Sequence, residues 1–207
     1  MKSRFSVSAI ALALTALLAS AALAQEKGAA SKGKKPAGPP DEKAMMEMMQ
    51  KAATPGEAHK KLDAMVGTFD TKVMMWMDPS KPPEESTGVS ENKWVLGDRY
   101  VEMKYTGTFM GQPFSGIGYQ GYDNVQKKYV GTWMDSASTG IMNSTGSMTG
   151  NLMKTSATVA DPMTGKMCKI TSKVTIADND HHTMEMWGPD PTGKNYKMMV
   201  IEYTRKK

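Results

Sequence analysis

Methionine is the chain's largest stock of chemically distinctive side chains, with 21 among 207 residues. A thioether sulfur can do three things. It is a soft ligand for Cu(I), a polarizable filler of irregular apolar gaps, or a flexible lining for a promiscuous pocket. Pattern separates these uses. The run MMEMM places Met45, Met48 and Met49 at i, i+3 and i+4, on one face of a helix. The run HHTMEM sets His181 and His182 beside two more methionines. These two stretches are the candidate metal ligands. Most other methionines are scattered along alternating segments, which suits gap filling or pocket lining.

His59, His181 and His182 are the only histidines. Neighbouring residues of a strand point to opposite faces, so His181 and His182 do not naturally share one ion. The chain has no HExxH or CxxC spacing and no GxSxG. Its single cysteine, Cys168, has no partner for an internal disulfide. Among the carboxylates, Asp98 and Asp123 sit in turns and have turn work to do. Asp135, just after Trp133, is the candidate acid or base of a hydrolase or isomerase, acting with Arg99 or a histidine. Beyond Arg4, arginine occurs only as Arg99 and Arg205. One of these is suited to stack on Trp133 or Trp94 and seal a barrel end, and Arg99 is the candidate for an anionic ligand. Together with Tyr105, Gly116, Gly118, Tyr119, Trp133 and Asp135, Arg99 makes up the candidate ligand-binding set.

These residues need a wall to stand on. From Gly67 onward, apolar residues recur at period two, with Gly, Pro, Asp and Asn between the runs. The spacing predicts strands at 68–77, 88–96, 99–109, 112–122, 128–135, 139–148, 152–159, 166–177, 182–188 and 196–204. Short links and the absence of a helical pattern here exclude parallel βαβ units. The expectation is an all-β, up-and-down antiparallel barrel of about ten strands, since closure removes exposed edges. Val101, Met103 and Tyr105 oppose Glu102, Lys104 and Thr106, as a wall with one wet face requires. The runs at 73–77 and 197–203 are apolar on both faces, which calls for cover by the N-terminal helix or by a second copy in a homodimer. The helix is favoured, because MMEMM needs a surface. Gly116 and Gly118 share one strand face. They either curve the wall or open a groove into it.

The N-terminal third is organised differently. Lys2 and Arg4 precede an uncharged Ala/Leu run ending in Ala22-Leu23-Ala24, the pattern of an export signal cleaved before Gln25. Residues 1–24 are therefore expected to be removed, leaving no integral membrane span and a periplasmic or secreted protein. Residues 25–43 are rich in Lys, Pro and Gly and read as a tether. Residues 44–66 form a short helical segment broken at Pro55-Gly56. Residues 67–207 are the barrel domain. The remaining basic excess is small and forms no stripe interleaved with aromatics, so nucleic acid is excluded as a partner.

Several blocks together carry a family resemblance: Gly67-Thr-Phe, Gly97-Asp-Arg-Tyr-Val, Phe114-Ser-Gly-Ile-Gly-Tyr-Gln-Gly-Tyr-Asp, Lys127-Lys-Tyr-Val-Gly-Thr-Trp-Met-Asp and Ile201-Glu-Tyr-Thr-Arg. Over residues 55–206 the chain resembles the bacterial domain of unknown function 1579. The resemblance implies a barrel related to calycins and lipocalins, often exported. It carries no catalytic residue, because the family has no established activity. Gly67-Thr68-Phe69 stands where a lipocalin has Gly-x-Trp. Calycins of the nitrobindin type hold haem through a histidine near the last strands. His181 and His182 sit at a turn instead, and no cofactor is expected. The leading expectation is non-catalytic binding of a small apolar or amphipathic molecule. An enzyme, a dimeric interaction protein and methionine-mediated copper binding are the alternatives.

Overall fold

The computed structural model describes residues 41–207. The expected export signal and the tether up to residue 40 lie outside them. Ten strands follow one another: β1 (Gly67–Met75), β2 (Glu84–Val95), β3 (Tyr100–Phe109), β4 (Gln112–Asp123), β5 (Lys128–Asp135), β6 (Met142–Thr149), β7 (Leu152–Ala160), β8 (Met167–Ile176), β9 (His181–Pro189) and β10 (Asn195–Arg205). Each pairs antiparallel with the next, and β10 returns to β1, closing the barrel. Every strand thus has two neighbours and no edge is left to recruit another chain. The turns are tight where the residues allow it. Met110 and Gly111 both take positive φ between β3 and β4, the geometry of a two-residue hairpin that follows the twist of its strands.

The expected strands are all present. The largest difference is at β2, which begins at Glu84 rather than at residue 88. Glu84 to Thr87 carry no apolar alternation, yet they continue the ladder against β1 from Met75 to Lys72. Lys72 Nζ meets Glu85 at 3.0 Å on the outer face, so this stretch is held by pairing, without burial of an apolar face.

Register assigns the faces. Phe69, Ser90, Tyr105, Gly116 and Asp135 lie on one cross-strand row. Phe69, Ser90 and Tyr105 are buried, so this row faces the lumen, and the parity extends around the barrel.

Two helices precede the barrel: α1 (Glu42–Ala53) and α2 (Glu57–Lys60), followed by a 3-10 turn (Asp63–Met65). The expected packing of the methionine helix on the wall does not occur. No residue of α1 is buried. The Pro55-Gly56 break redirects the chain, and the residues after it do the covering. Leu62 and Met65 enter one end of the barrel and pack with Val101, Tyr129 and Met153. On the outer face of the doubly apolar strands, Met74 and Val200 stand directly opposite each other across the β1–β10 ladder.

That closed end is locked by Arg205. Its guanidinium donates to the carbonyls of Val66 (2.7 Å), Ala64 (3.2 Å) and Asn179 (2.8 Å from Nε). It also pairs with Asp180 at 3.1 Å and lies 4.6 Å from the centre of the Phe69 ring. Gly67 has φ +135°, and Arg205 passes where its Cβ would be. The arginine that seals a barrel end is therefore Arg205, and the ring it stacks on is Phe69 rather than a tryptophan.

Candidate functional site in the barrel lumen

The lumen-facing half of β3, β4 and β5 carries most of the candidate set. Trp133 projects inward from β5 and lies across the neighbouring strand. A Cβ on Gly116 would come within 2.7 Å of Trp133 Cη2, and one on Gly118 within 2.9 Å of Cε3. The two glycines are the seat of the indole. Their bare faces are filled, so no groove opens there. Tyr105 does the same on β3, where a Cβ on Gly107 would lie 2.6 Å from its hydroxyl. Around these rings, Val73, Tyr105 and Ile201 form a second core with Phe114, Trp133, Met184, Met199 and Tyr203.

Asp135 is inward as well, but its carboxylate is engaged. Trp133 Nε1 donates to Oδ2 at 2.9 Å, and the Ala137 N–H donates to Oδ1 at 3.0 Å. It fixes the indole and starts the following turn.

Two members of the set are elsewhere. Tyr119 points out of the barrel, where its hydroxyl donates to Glu102 at 3.2 Å, and Glu102 also meets Lys93 at 3.3 Å. Odd positions of β4 face outward, so a tyrosine next to Gly118 cannot reach the lumen. Arg99 sits at the plugged end, donating to the carbonyls of Leu96 (2.9 Å) and Gly97 (3.2 Å). It borders an outer cleft of about 280 Å³ with His59, Tyr100 and Tyr122. It stacks on neither Trp133 nor Trp94, and Trp94 Nε1 is bound to Asp63 at 2.9 Å. Asp135 and Arg99 thus lie at opposite ends and do not form one site.

The histidines divide as strand geometry predicts. His181 is exposed, with Nδ1 3.0 Å from the Asp178 carboxylate. His182 is 3% exposed, stacked on Tyr203 at 4.2 Å and met edge-on by Phe69 at 4.7 Å. Burial, and next the nearby Arg205 charge, push His182 down to about 4, so it is neutral at pH 7. Burial likewise raises the Tyr203 hydroxyl above its ordinary value, with Tyr105 adding to the effect. His59 is buried and lowered, first by burial, and its Nδ1 accepts from the Gly56 N–H at 3.1 Å. His182 faces the lumen and its Nδ1 has no hydrogen-bond partner, but Tyr203 and Phe69 cover the ring and leave it 3% exposed, so it does not present an open ligand face to haem. Among the described residues, no three His, Cys, Asp or Glu side chains converge as a metal cluster.

The remaining wall is different in kind. β6 turns Met142, Ser144, Gly146 and Met148 inward, and none of them is buried. Opposite Ser144 and Gly146 on β7 stand Ala157 and Thr155. Thr155 and Ser172 share a hydroxyl–hydroxyl hydrogen bond of 2.7 Å across β7 and β8. Ser172 is followed across β9 by Met186, and Val174 by Met184. Apart from the buried Ala157, this side of the lumen is lined by small and flexible residues that keep accessible surface. Neither Ser144 nor Ser172 is legible as a site residue in the sequence. The available signal was their shared inward parity, which needs the register.

A family model described as a protein of unknown function, DUF1579, matches residues 54–205. The chain belongs to the DUF1579 family. No curated protein matches it. The crystal structure of Rv2717c from M. tuberculosis is similar to the DUF1579 barrel, at 16% identity over 74% of this chain and 100% of that one, with a TM-score of 0.54. That likeness concerns the fold. Two further structures align more loosely. The S-type phycobiliprotein lyase CPES of Guillardia theta covers 82% of this chain and 99% of its own, at 11% identity and a TM-score of 0.49. A redesigned beta barrel covers 75% and 100%, at 15% identity and a TM-score of 0.39. No helix among the described residues of this DUF1579 protein is long and apolar enough to cross a membrane.

Proposed function

We propose that the barrel binds a small apolar or amphipathic molecule in its lumen without converting it. The observation that carries this reading is the inward face of β6. In a solidly packed core that face would be buried, and here no residue of it is. Trp133, Met184, Met199 and Phe114 supply apolar, adaptable contact surface beside it, as ligand cavities require. Ser144, Thr155 and Ser172 add a few hydroxyls for a polar end. The separation of Asp135 from Arg99, and the engagement of Asp135 by Trp133, favour binding over catalysis. The signal pattern of residues 1–24 supports a periplasmic or secreted setting.

The test uses N-phenyl-1-naphthylamine, whose fluorescence rises in apolar surroundings. Wild-type protein is expected to bind it saturably. Ser144→Phe and Ser172→Phe fill the lumen from two strands and are expected to abolish binding while the thermal transition stays cooperative. Absence of binding by the wild type, or undiminished binding by both filled variants, overturns the reading.

A further inference from the structure

The methionine helix lies apart from the lumen and buries none of its residues. α1 is capped at its start and tied to the barrel at its end. Asp41 Oδ1 accepts from the Ala44 N–H at 2.8 Å, and Asn124 Nδ2 donates to the carbonyls of Ala52 (3.0 Å) and Thr54 (2.8 Å). The helix is thus fixed to the β4–β5 turn yet buries none of its residues. Its large apolar side chains are Met45, Met46, Met48 and Met49, exposed by 47, 62, 53 and 62%. Gap filling, the ordinary reason for methionine, explains none of them, because there is no gap. Mere apolarity would be served as well by leucine, which is absent from α1. What distinguishes these four positions is the thioether.

We propose that α1 binds a soft monovalent cation, Cu(I) or its analogue Ag(I), through the sulfurs of Met45, Met48 and Met49. Residues three and four apart on a helix have Cβ atoms about 5–6 Å apart. Three rotatable bonds in each side chain let the sulfurs converge on one ion above that face. Thioethers prefer Cu(I) to harder divalent ions. Met46, three residues before Met49, flanks the set. Binding exchanges solvent for sulfur and moves no electron, so the metal enters and leaves in the same oxidation state. Thioethers hold no proton to be displaced, so affinity is expected to be flat from pH 5 to 8. A histidine or thiolate site would weaken toward acid.

The experiment is an Ag(I) titration of the full chain followed through methionine ε-methyl NMR signals, with Cu(I) affinity measured anaerobically by competition with bicinchoninate. The methyls of Met45, Met48 and Met49 are expected to shift first and together. Replacing all three by leucine preserves apolarity and helix propensity, and is expected to weaken Cu(I) binding at least tenfold. Met163→Leu with Met167→Leu, at exposed positions near the β7–β8 turn, is expected to change nothing. Shifts spread evenly over all exposed methionines, or unchanged affinity in the triple variant, overturn the proposal.

Discussion

His182 is held neutral in the folded barrel, and acid should find it. Its ring is enclosed by Tyr203 and Phe69, with Arg205 nearby, and burial lowers its pKa from 6.5 to about 4. Between those values the unfolded chain binds a proton that the folded chain refuses. The stabilisation is therefore complete above pH 6.5, declines as the pH falls toward 4, and changes no further below that. Each pH unit within the window is worth about 1.4 kcal/mol, so the full descent removes about 3 kcal/mol. That is a large share of the roughly 5–15 kcal/mol that stabilises an ordinary domain. His59, lowered in the same direction by burial, adds to the effect. The turn carboxylates respond later. Asp78, Asp123, Asp161, Asp178 and Asp190 are all held below their ordinary value of 3.8, so their losses begin below the upper part of this window. Between pH 6.5 and 5 the imidazoles dominate. The assay is urea unfolding at pH 7, 6 and 5 at constant ionic strength, for wild type and His182→Phe. Phenylalanine keeps the stack on Tyr203 and cannot titrate. Wild type is expected to lose about 2 kcal/mol more than the variant over that range. Equal pH slopes would refute the argument.

Three further outcomes follow from the geometry. Gly118→Ala would place a Cβ 2.5 Å from the Thr132 carbonyl oxygen and against Trp133; overpacking of this kind costs about 1–3 kcal/mol and should shift Trp133 fluorescence. Arg205→Met removes the bonds to Val66, Ala64 and Asn179 while keeping some contact with Phe69; the unpaired carbonyls predict a loss of about 2–4 kcal/mol in urea unfolding, whereas Arg99→Met, at an exposed turn, should stay within about 0.5 kcal/mol. Asn124→Ala releases the last carbonyls of α1, so amide exchange should quicken across residues 42–53 and stay unchanged in the barrel strands.

Most of the ten strands were readable because they have a wet face and a dry one, and period-two alternation records that directly. The β5 limits, Lys128–Asp135, coincide with expectation. The alternation fades where pairing alone holds the chain, and there the start of β2 was missed. The plug was half legible. The periodicity in MMEMM and in Leu62–Met65 is the same signal, and only the second stretch finds a core. A helical stripe states that a face is apolar, and it does not state what covers it.

The candidate site shows the same division more sharply. Residue types and spacing alone supplied the barrel, the shared face of Val101, Met103 and Tyr105, and the inability of His181 and His182 to share an ion, because all three follow from the alternation of side chains along a strand. Cross-strand register decided the rest. It laid Trp133 over Gly116 and Gly118, set Tyr119 beside Glu102, and brought Arg205 to Phe69 and the carbonyls it binds. Those relations join residues far apart in the chain through the positions of neighbouring strands, and local sequence carries no record of which residue a strand will meet.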